Sequence, residues 1–238
     1  MRIRIAVALT LCAWATHGVS PAVASPFNHG DFPSPAPGGV DFLQVTEDST
    51  TGTPPIFEEP IRAGDKLIFQ PSAFAAFGFG GTSDVMSGVL TMNIRAAAGE
   101  FLDYLVLREQ ADYSLLGGGT AATFASIFSQ VTVEDVTPGG HGLFGGPMSF
   151  SPSSSFTLPG SQFGVAEGLL VIDLSGLGIS EVKLTIDNEV SVGSEAGTTA
   201  LIQKKELEIL HTSEYVPEPA TATLLAFGAL VMRRRRRR

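Results

Sequence analysis

From Val182 to Val192 the chain alternates apolar and polar residues with a period of two. Val182, Leu184, Ile186, Val190 and Val192 fall on one side, and Lys183, Thr185, Asp187, Glu189 and Ser191 on the other. An extended strand separates two such sets, so one face meets a core and the other meets water. Asn188 is the single polar residue on the buried side; it is expected to hydrogen-bond backbone or to mark a bulge. A Gly193-Ser194-Glu195-Ala196-Gly197 turn follows, and Thr199 to Leu210 runs back to make a hairpin spanning Val182–Leu210. Its apolar parity switches from Ala200 and Ile202 to Leu207 and Ile209, which places a bulge at Lys204-Lys205.

The rest of the body has the same character. Strands are expected at Val40–Val45, Lys66–Phe69, Val85–Ala96, Glu100–Glu109, Thr120–Val136 and Leu169–Leu174. Leu90, Met92 and Ile94 share a face, while Thr91, Asn93 and Arg95 point away. Phe101 to Leu107 is apolar on both faces, which suits a central strand. Gly117-Gly118-Gly119, Pro138-Gly139-Gly140 and Gly145-Gly146-Pro147 punctuate the strands as turns or loops. No soluble segment carries a convincing helical period, and no period of 20 to 50 residues recurs. The expected fold class is all-β: an antiparallel two-sheet sandwich, jelly-roll-like, over residues 40–212. Residues 25–39, with Pro26, Pro33, Pro35 and Pro37, read as a linker or an extended lead-in strand rather than a packed element.

Residues 1–24 read as a secretory signal peptide flanking that body. Arg2 and Arg4 start it, Ile5 to Ala15 is apolar, and Ala22-Val23-Ala24 is a small-x-small cleavage site before Ser25. Cys12 sits inside the apolar stretch without the small residue that a lipoprotein site needs before it. Cleavage removes the single cysteine and the single tryptophan, Trp14, so the mature body has no disulfide and no thiol chemistry.

The other flank has three parts. Residues 213–219 form a linker ending in Pro217-Glu218-Pro219, which cannot continue a helix or a sheet ladder. Residues 220–232 are an apolar, membrane-seeking helix. Its thirteen residues rise only about 20 Å, against a hydrocarbon core of roughly 30 Å. That makes a short transmembrane anchor, helped by snorkelling and local thinning. Residues 233–238 are Arg233, Arg234, Arg235, Arg236, Arg237 and Arg238, a basic tail that stays cytoplasmic.

Motif, span and basic tail, in this order, resemble the PEP-CTERM sorting signal of bacterial surface proteins, which a membrane enzyme called exosortase processes. The resemblance implies export, anchoring at the inner membrane, processing by an exosortase-like enzyme near Pro217-Glu218-Pro219, and passage to the cell surface or extracellular matrix. The body also looks like a domain common in PEP-CTERM proteins, through the stretches Ala63 to Phe74, Asp112 to Thr120 and Ile186 to Ile209. That likeness implies a surface location rather than an activity.

Charge narrows the partners. Residues 25–219 hold all 24 acidic residues and only seven basic ones, for a net charge of −17. Such a body is repelled by nucleic acid and anionic lipid, and it has no basic patch for either. It attracts divalent cations weakly and diffusely, and hydrated extracellular polysaccharide is a candidate partner.

No catalytic constellation stands out. There is no G-x-S-x-G, and Ser151 to Ser155 is a flexible serine-rich loop. His29, His141 and His211 are scattered. Glu47-Asp48, Glu58-Glu59 and Glu134-Asp135 are adjacent pairs, and neighbours on a strand point to opposite faces. A calcium site would need Asp103, Glu109 and Asp112, or Asp65 and Asp84, to converge. Zinc lacks His and Cys clusters, and Gly78-Phe79-Gly80-Gly81 lacks the features of a phosphate loop. Phe74, Phe77 and Phe79 read as core packing, with a sugar-stacking platform as the alternative. The expected function is that of a non-enzymatic surface or matrix protein with a structural or adhesive role and no cofactor. The first alternative is a secreted carbohydrate- or calcium-binding module, which needs exposed aromatics on a concave sheet or three converging carboxylates. The second is a hydrolase.

Overall fold

The computed structural model describes residues 26–140, 142–143, 147–150 and 154–213. They form fourteen strands and no helix. The strands are β1 (Phe27–Phe32), β2 (Asp41–Asp48), β3 (Ile61–Ala63), β4 (Lys66–Phe69), β5 (Ala75–Phe79), β6 (Ser83–Arg95) and β7 (Tyr104–Leu116), followed by β8 (Phe124–Asp135), β9 (Gly142–Leu143), β10 (Met148–Ser149), β11 (Ser154–Thr157), β12 (Phe163–Asp173), β13 (Glu181–Gly193) and β14 (Thr199–Thr212).

Two antiparallel sheets result. The first runs β1-β2-β6-β13-β8, with β9, β10 and β11 each pairing with β8. The second runs β12-β7-β14-β4-β3, with β5 pairing with the other half of β14. The core lies between them. Leu90, Met92, Ile94, Leu184, Ile186 and Val190 of the first sheet are fully out of water, as are Leu105, Leu107, Ala200, Ile202, Leu207 and Ile209 of the second. The sequence alternation of β6 and β13 is therefore the in–out alternation of the sheet.

Val182–Leu210 is not a hairpin. β13 is flanked on its two edges by β6 and β8, and β14 lies between β7 and the pair β4/β5, so neither has an edge for the other. Each has one apolar face, and the turn after Gly193 carries the chain from one sheet to the opposite one so that both faces reach the same core. The bulge at the lysines is present, between Lys204 and Glu206. It keeps Lys204 on the inner face beside Ile202, then sends Leu207 and Ile209 inward.

Three other expectations are corrected. Of the two readings for residues 25–39, residues 27–32 take the extended strand rather than the linker, but as a bulged edge strand paired with β2 instead of an unpacked lead-in, and the prolines flank this stretch rather than interrupt it. Ser154 and Ser155 belong to a strand that pairs with Ile127 and Ser126 of β8. Phe101 is 56 % exposed, and the central strand begins only at Tyr104. From there the two-faced burial holds. Val106 lies on the outer face, paired with Leu210 and Val171, and is still fully covered.

Candidate functional site

Outward-facing side chains of the second sheet gather into an apolar patch at one end. Phe77 of β5 is opposite Leu201 of β14, Leu201 is opposite Ser114 of β7, and Ser114 is opposite Phe163 of β12. Directly opposed residues share a face, so these four form one row across four strands, about 14 Å from end to end at the usual strand spacing. The row above is Phe79, Thr199 and Leu116, and the row below is Ala75, Gln203, Asp112 and Val165. Phe77 is 55 % exposed, Phe79 63 % and Phe163 75 %. Leu116, Val165 and Leu201 are exposed beside them.

This corrects the core-packing expectation for Phe77 and Phe79. Phe74 is buried, but it stands three residues from Phe77, an odd separation that puts the two on opposite faces of an extended chain. Ala76 and Gly78 take the inner positions.

The local sequence holds the patch in place. The backbone N–H of Phe77 donates to Asp84 Oδ2 at 2.9 Å, and that of Phe79 to Thr82 Oγ1 at 2.9 Å, so the β5–β6 turn ties down the strand carrying both rings. On the far side, Gly164 leaves room for the Tyr113 ring: an added Cβ would lie 2.7 Å from Tyr113 Oη. Tyr113 stacks on Phe156 with ring centres 3.7 Å apart and planes 10° apart, anchoring β7 to the first sheet beneath Phe163. The loop after Leu116 is gripped by Glu195, which accepts from the Thr120 N–H at 2.6 Å, Thr120 Oγ1 at 3.0 Å and Thr123 Oγ1 at 3.0 Å. Those bonds, the Thr120 N–H foremost, hold the Glu195 carboxyl below the usual carboxylate range.

A second constellation lies inside, between the sheets. Lys204, fully buried, places Nζ 2.8 Å from Glu109 Oε2 and in hydrogen-bond contact with Asn188 Oδ1. Ser129 Oγ is 2.6 Å from the same Glu109 oxygen and 2.9 Å from Asn188 Oδ1. Asn188 thus meets side chains rather than backbone, and β13 runs through it in unbroken register with β6 and β8. Burial lowers the proton affinity of Lys204, against the pull of Glu109. Sequence reasoning found Asn188 on the buried face and the bulge at Lys204, but it treated Glu109 as a possible calcium ligand. The available signal was polarity: Glu109 and Asn188 each interrupt an inward apolar series.

The other candidates separate. Glu109 faces the core while Asp112 faces out from the same strand. Asp65 accepts from the Val40 N–H, tying the β3–β4 turn to the chain before β2, and Asp84 accepts from the Phe77 N–H, so the two serve different backbone contacts. Among the described residues no three His, Cys, Asp or Glu side chains are placed to hold a metal ion. His29 is buried against Glu47, and His211 Nε2 accepts from the Asp103 N–H at 3.4 Å. His141, the cleavage site Ala22, Ala24 and Ser25, the motif Pro217, Glu218 and Pro219, the span 220–232 and the tail Arg233 to Arg238 lie outside the described residues. Among those described, no helix is long and apolar enough to cross a membrane.

No protein-family model matches the chain, and no curated protein does. Among solved structures it is similar to the enzymatically active domain of bacteriophage CBA120 tailspike protein 4, at 13% identity over 68% of this chain and 17% of that one, with a TM-score of 0.21. The chain thus spans about a sixth of that structure. It is also similar to a family 61 carbohydrate-binding module in complex with β-1,4-galactotriose, at 11% identity over 69% of this chain and 81% of that one, TM-score 0.22. A family 29 carbohydrate-binding module matches at 10% identity over 75% of this chain and 98% of that one, TM-score 0.21. Likeness at this level carries no argument about function.

Proposed function

We propose that the protein is an exported surface or matrix component whose body is a non-enzymatic adhesive module for polysaccharide. One observation carries this reading: the in-register row Phe77, Leu201, Ser114 and Phe163, with Phe79 and Leu116 beside it. Exposed, contiguous aromatic surface on a soluble domain marks an interaction site. A pyranose ring presents an apolar C–H face bordered by hydroxyls. Rings such as Phe77 and Phe163 receive that face, and Ser114, Thr199, Gln203 and Asp112 stand among them as hydrogen-bond partners for the hydroxyl edges. The acidic body favours neutral or cation-bridged glycans over anionic ones. Export, anchoring through residues 220–232 and processing by an exosortase-like enzyme at Pro217-Glu218-Pro219 would deliver this face to the outside of the cell.

Glycan-array binding followed by titration of the best neutral glycan tests the reading. Phe77→Ala and Phe163→Ala should each weaken binding at least tenfold, while leaving the unfolding midpoint nearly unchanged. Binding that survives the double variant, or an array with no positive glycan, sinks it.

A further inference from the structure

We propose that Lys204 and Asn188 become joined by an amide cross-link, with Lys204 Nζ as nucleophile, Asn188 Cγ as the carbon attacked and Glu109 as the acid–base group. Four side chains from four strands converge at this point. Glu109 of β7 and Lys204 of β14 come from one sheet, and Asn188 of β13 and Ser129 of β8 from the other. All four residues are buried, with Lys204 and Asn188 fully so. Phe74 closes the site, its ring centre 5.7 Å from Lys204 Nζ.

Chemistry, not structural economy, accounts for this set. A buried ion pair is weak evidence for stability and is often outdone by apolar side chains of similar size. Here the amine also touches a carboxamide whose Nδ2 has no hydrogen-bond partner. An orphaned buried amide N–H is costly to keep. It is, however, the position of a leaving group that nothing holds back. The amine has a carboxylate 2.8 Å away to receive its proton, and burial favours the neutral, nucleophilic form. Holding amine, carbonyl and proton acceptor together replaces a bimolecular encounter with an intramolecular one, a large advantage in effective concentration.

The step balances without a co-reactant. Lys204 passes its extra proton to Glu109 Oε2. The Nζ lone pair attacks Asn188 Cγ, and the carbonyl electrons move to Oδ1. With the proton on Glu109, the contacts Glu109–Ser129–Asn188 run donor to acceptor toward that oxygen, so Ser129 steadies the developing charge. The Nζ–Cγ bond forms and the Cγ–Nδ2 bond breaks. Once both nitrogens are bonded to Cγ, Nδ2 takes up the second Nζ proton and leaves as ammonia. The product is a secondary amide joining β13 to β14, with Glu109 left protonated. The cross-link ties the two sheets across the core in a body that has no cysteine to do so.

The test is mass spectrometry of the full chain, isolated and digested with trypsin. The cross-link should leave a single peptide from Leu184 to Lys205, uncut at Lys204 and about 17 Da lighter than its sequence, the mass of ammonia. Further cleavage after Glu189 and Glu195 should leave its two ends attached. Glu109→Gln should restore the sequence mass and cutting at Lys204, and Ser129→Ala should slow formation. If Lys204→Arg or Glu109→Gln fails to fold, wild-type digestion still decides, because the joined ends are a direct readout. A wild-type peptide of sequence mass, cut at Lys204, overturns the proposal. So does a 17 Da loss that persists in a folded Lys204→Arg protein, which would place a succinimide at Asn188 instead.

Discussion

His29 Nε2 lies 2.9 Å from Glu47 Oε2, with both side chains withdrawn from water. The same carboxylate accepts from the backbone N–H groups of Ile56 and Phe57. One buried acid therefore ties β1, β2 and the loop before β3 together. The His29 ring also meets those of Phe27 and Phe69 edge-on, at 5.0 and 6.0 Å. Glu47→Ala should strand two backbone donors and the imidazole, each worth about 1–3 kcal/mol when left unpaired. A loss of roughly 3–5 kcal/mol is expected, read from urea unfolding. Glu47→Gln keeps one carbonyl acceptor and should lose less. Equal losses would show that acceptance by this side chain is not what matters.

Ile186 and Asp187 are neighbours on opposite faces of β13, the first fully buried and the second exposed. Ile186→Ala should cost roughly 2–5 kcal/mol. Asp187→Ala should stay within about 0.5 kcal/mol. Similar effects from the two would contradict the in–out assignment of the longest alternating stretch.

Gly88 faces Asn188 across the β6–β13 ladder, and its missing side chain makes room for the core aromatics. A Cβ there would lie 2.5 Å from Ile56 Cδ1, 3.0 Å from Phe57 Cε2 and 3.1 Å from Phe74 Cε2. Alanine in a strand ordinarily gains about 0.5–1 kcal/mol over glycine. Crowding of this kind costs about 1–3 kcal/mol, so crowding wins. Gly88→Ala should lower the unfolding midpoint, and a raised midpoint would mean the Ile56 loop yields freely.

The strands with one wet face were legible because alternation encodes them directly. β6, β13 and the bulge of β14 could be placed from Leu90, Ile186 and the switch at Lys204. Partnership was not legible. Whether β14 pairs with β13 or crosses to the other sheet depends on which edges are already taken, and that is decided by strands far away in sequence. Phe77 and Phe163 show the same limit. Each looks like core material by type, and only the register Phe77–Leu201–Ser114–Phe163 shows them side by side in solvent. The Lys204 network was hidden for a related reason: Glu109 is 95 residues away from Lys204 along the chain.

His211 should impose a mild acid dependence on stability. Burial lowers its pKa, opposed by the carboxylates of Asp65 and Asp103. Its Nε2 accepts the Asp103 N–H, which requires the neutral ring. The folded state therefore takes up this proton at lower pH than the unfolded state does. The contribution is complete above the unfolded value of about 6.5 and declines as pH falls below it, until the folded ring protonates too. Urea midpoints measured between about pH 7.5 and pH 5 should fall more steeply for wild type than for His211→Gln. Parallel curves would remove His211 as the cause.

The last prediction concerns delivery. In the proposed sorting reading, Pro217 and Pro219 keep the motif extended, and Glu218 between them supplies the charge that a processing enzyme reads. In the same reading Arg233 to Arg238 would keep the end cytoplasmic, because drawing six charges through lipid is very costly. Glu218→Ala should leave the body folded but trap the full-length chain in the inner membrane. Deleting residues 220–238 should instead release the body without a membrane stage, because the proposed anchor is gone and, among the described residues, no helix is long and apolar enough to cross a membrane. Fractionation in a host carrying an exosortase, followed with an antibody to the body, separates the two. A Glu218→Ala protein processed and distributed like wild type would remove Glu218 from the recognition step. A deletion variant that still fractionates with the inner membrane would show that the anchor lies elsewhere.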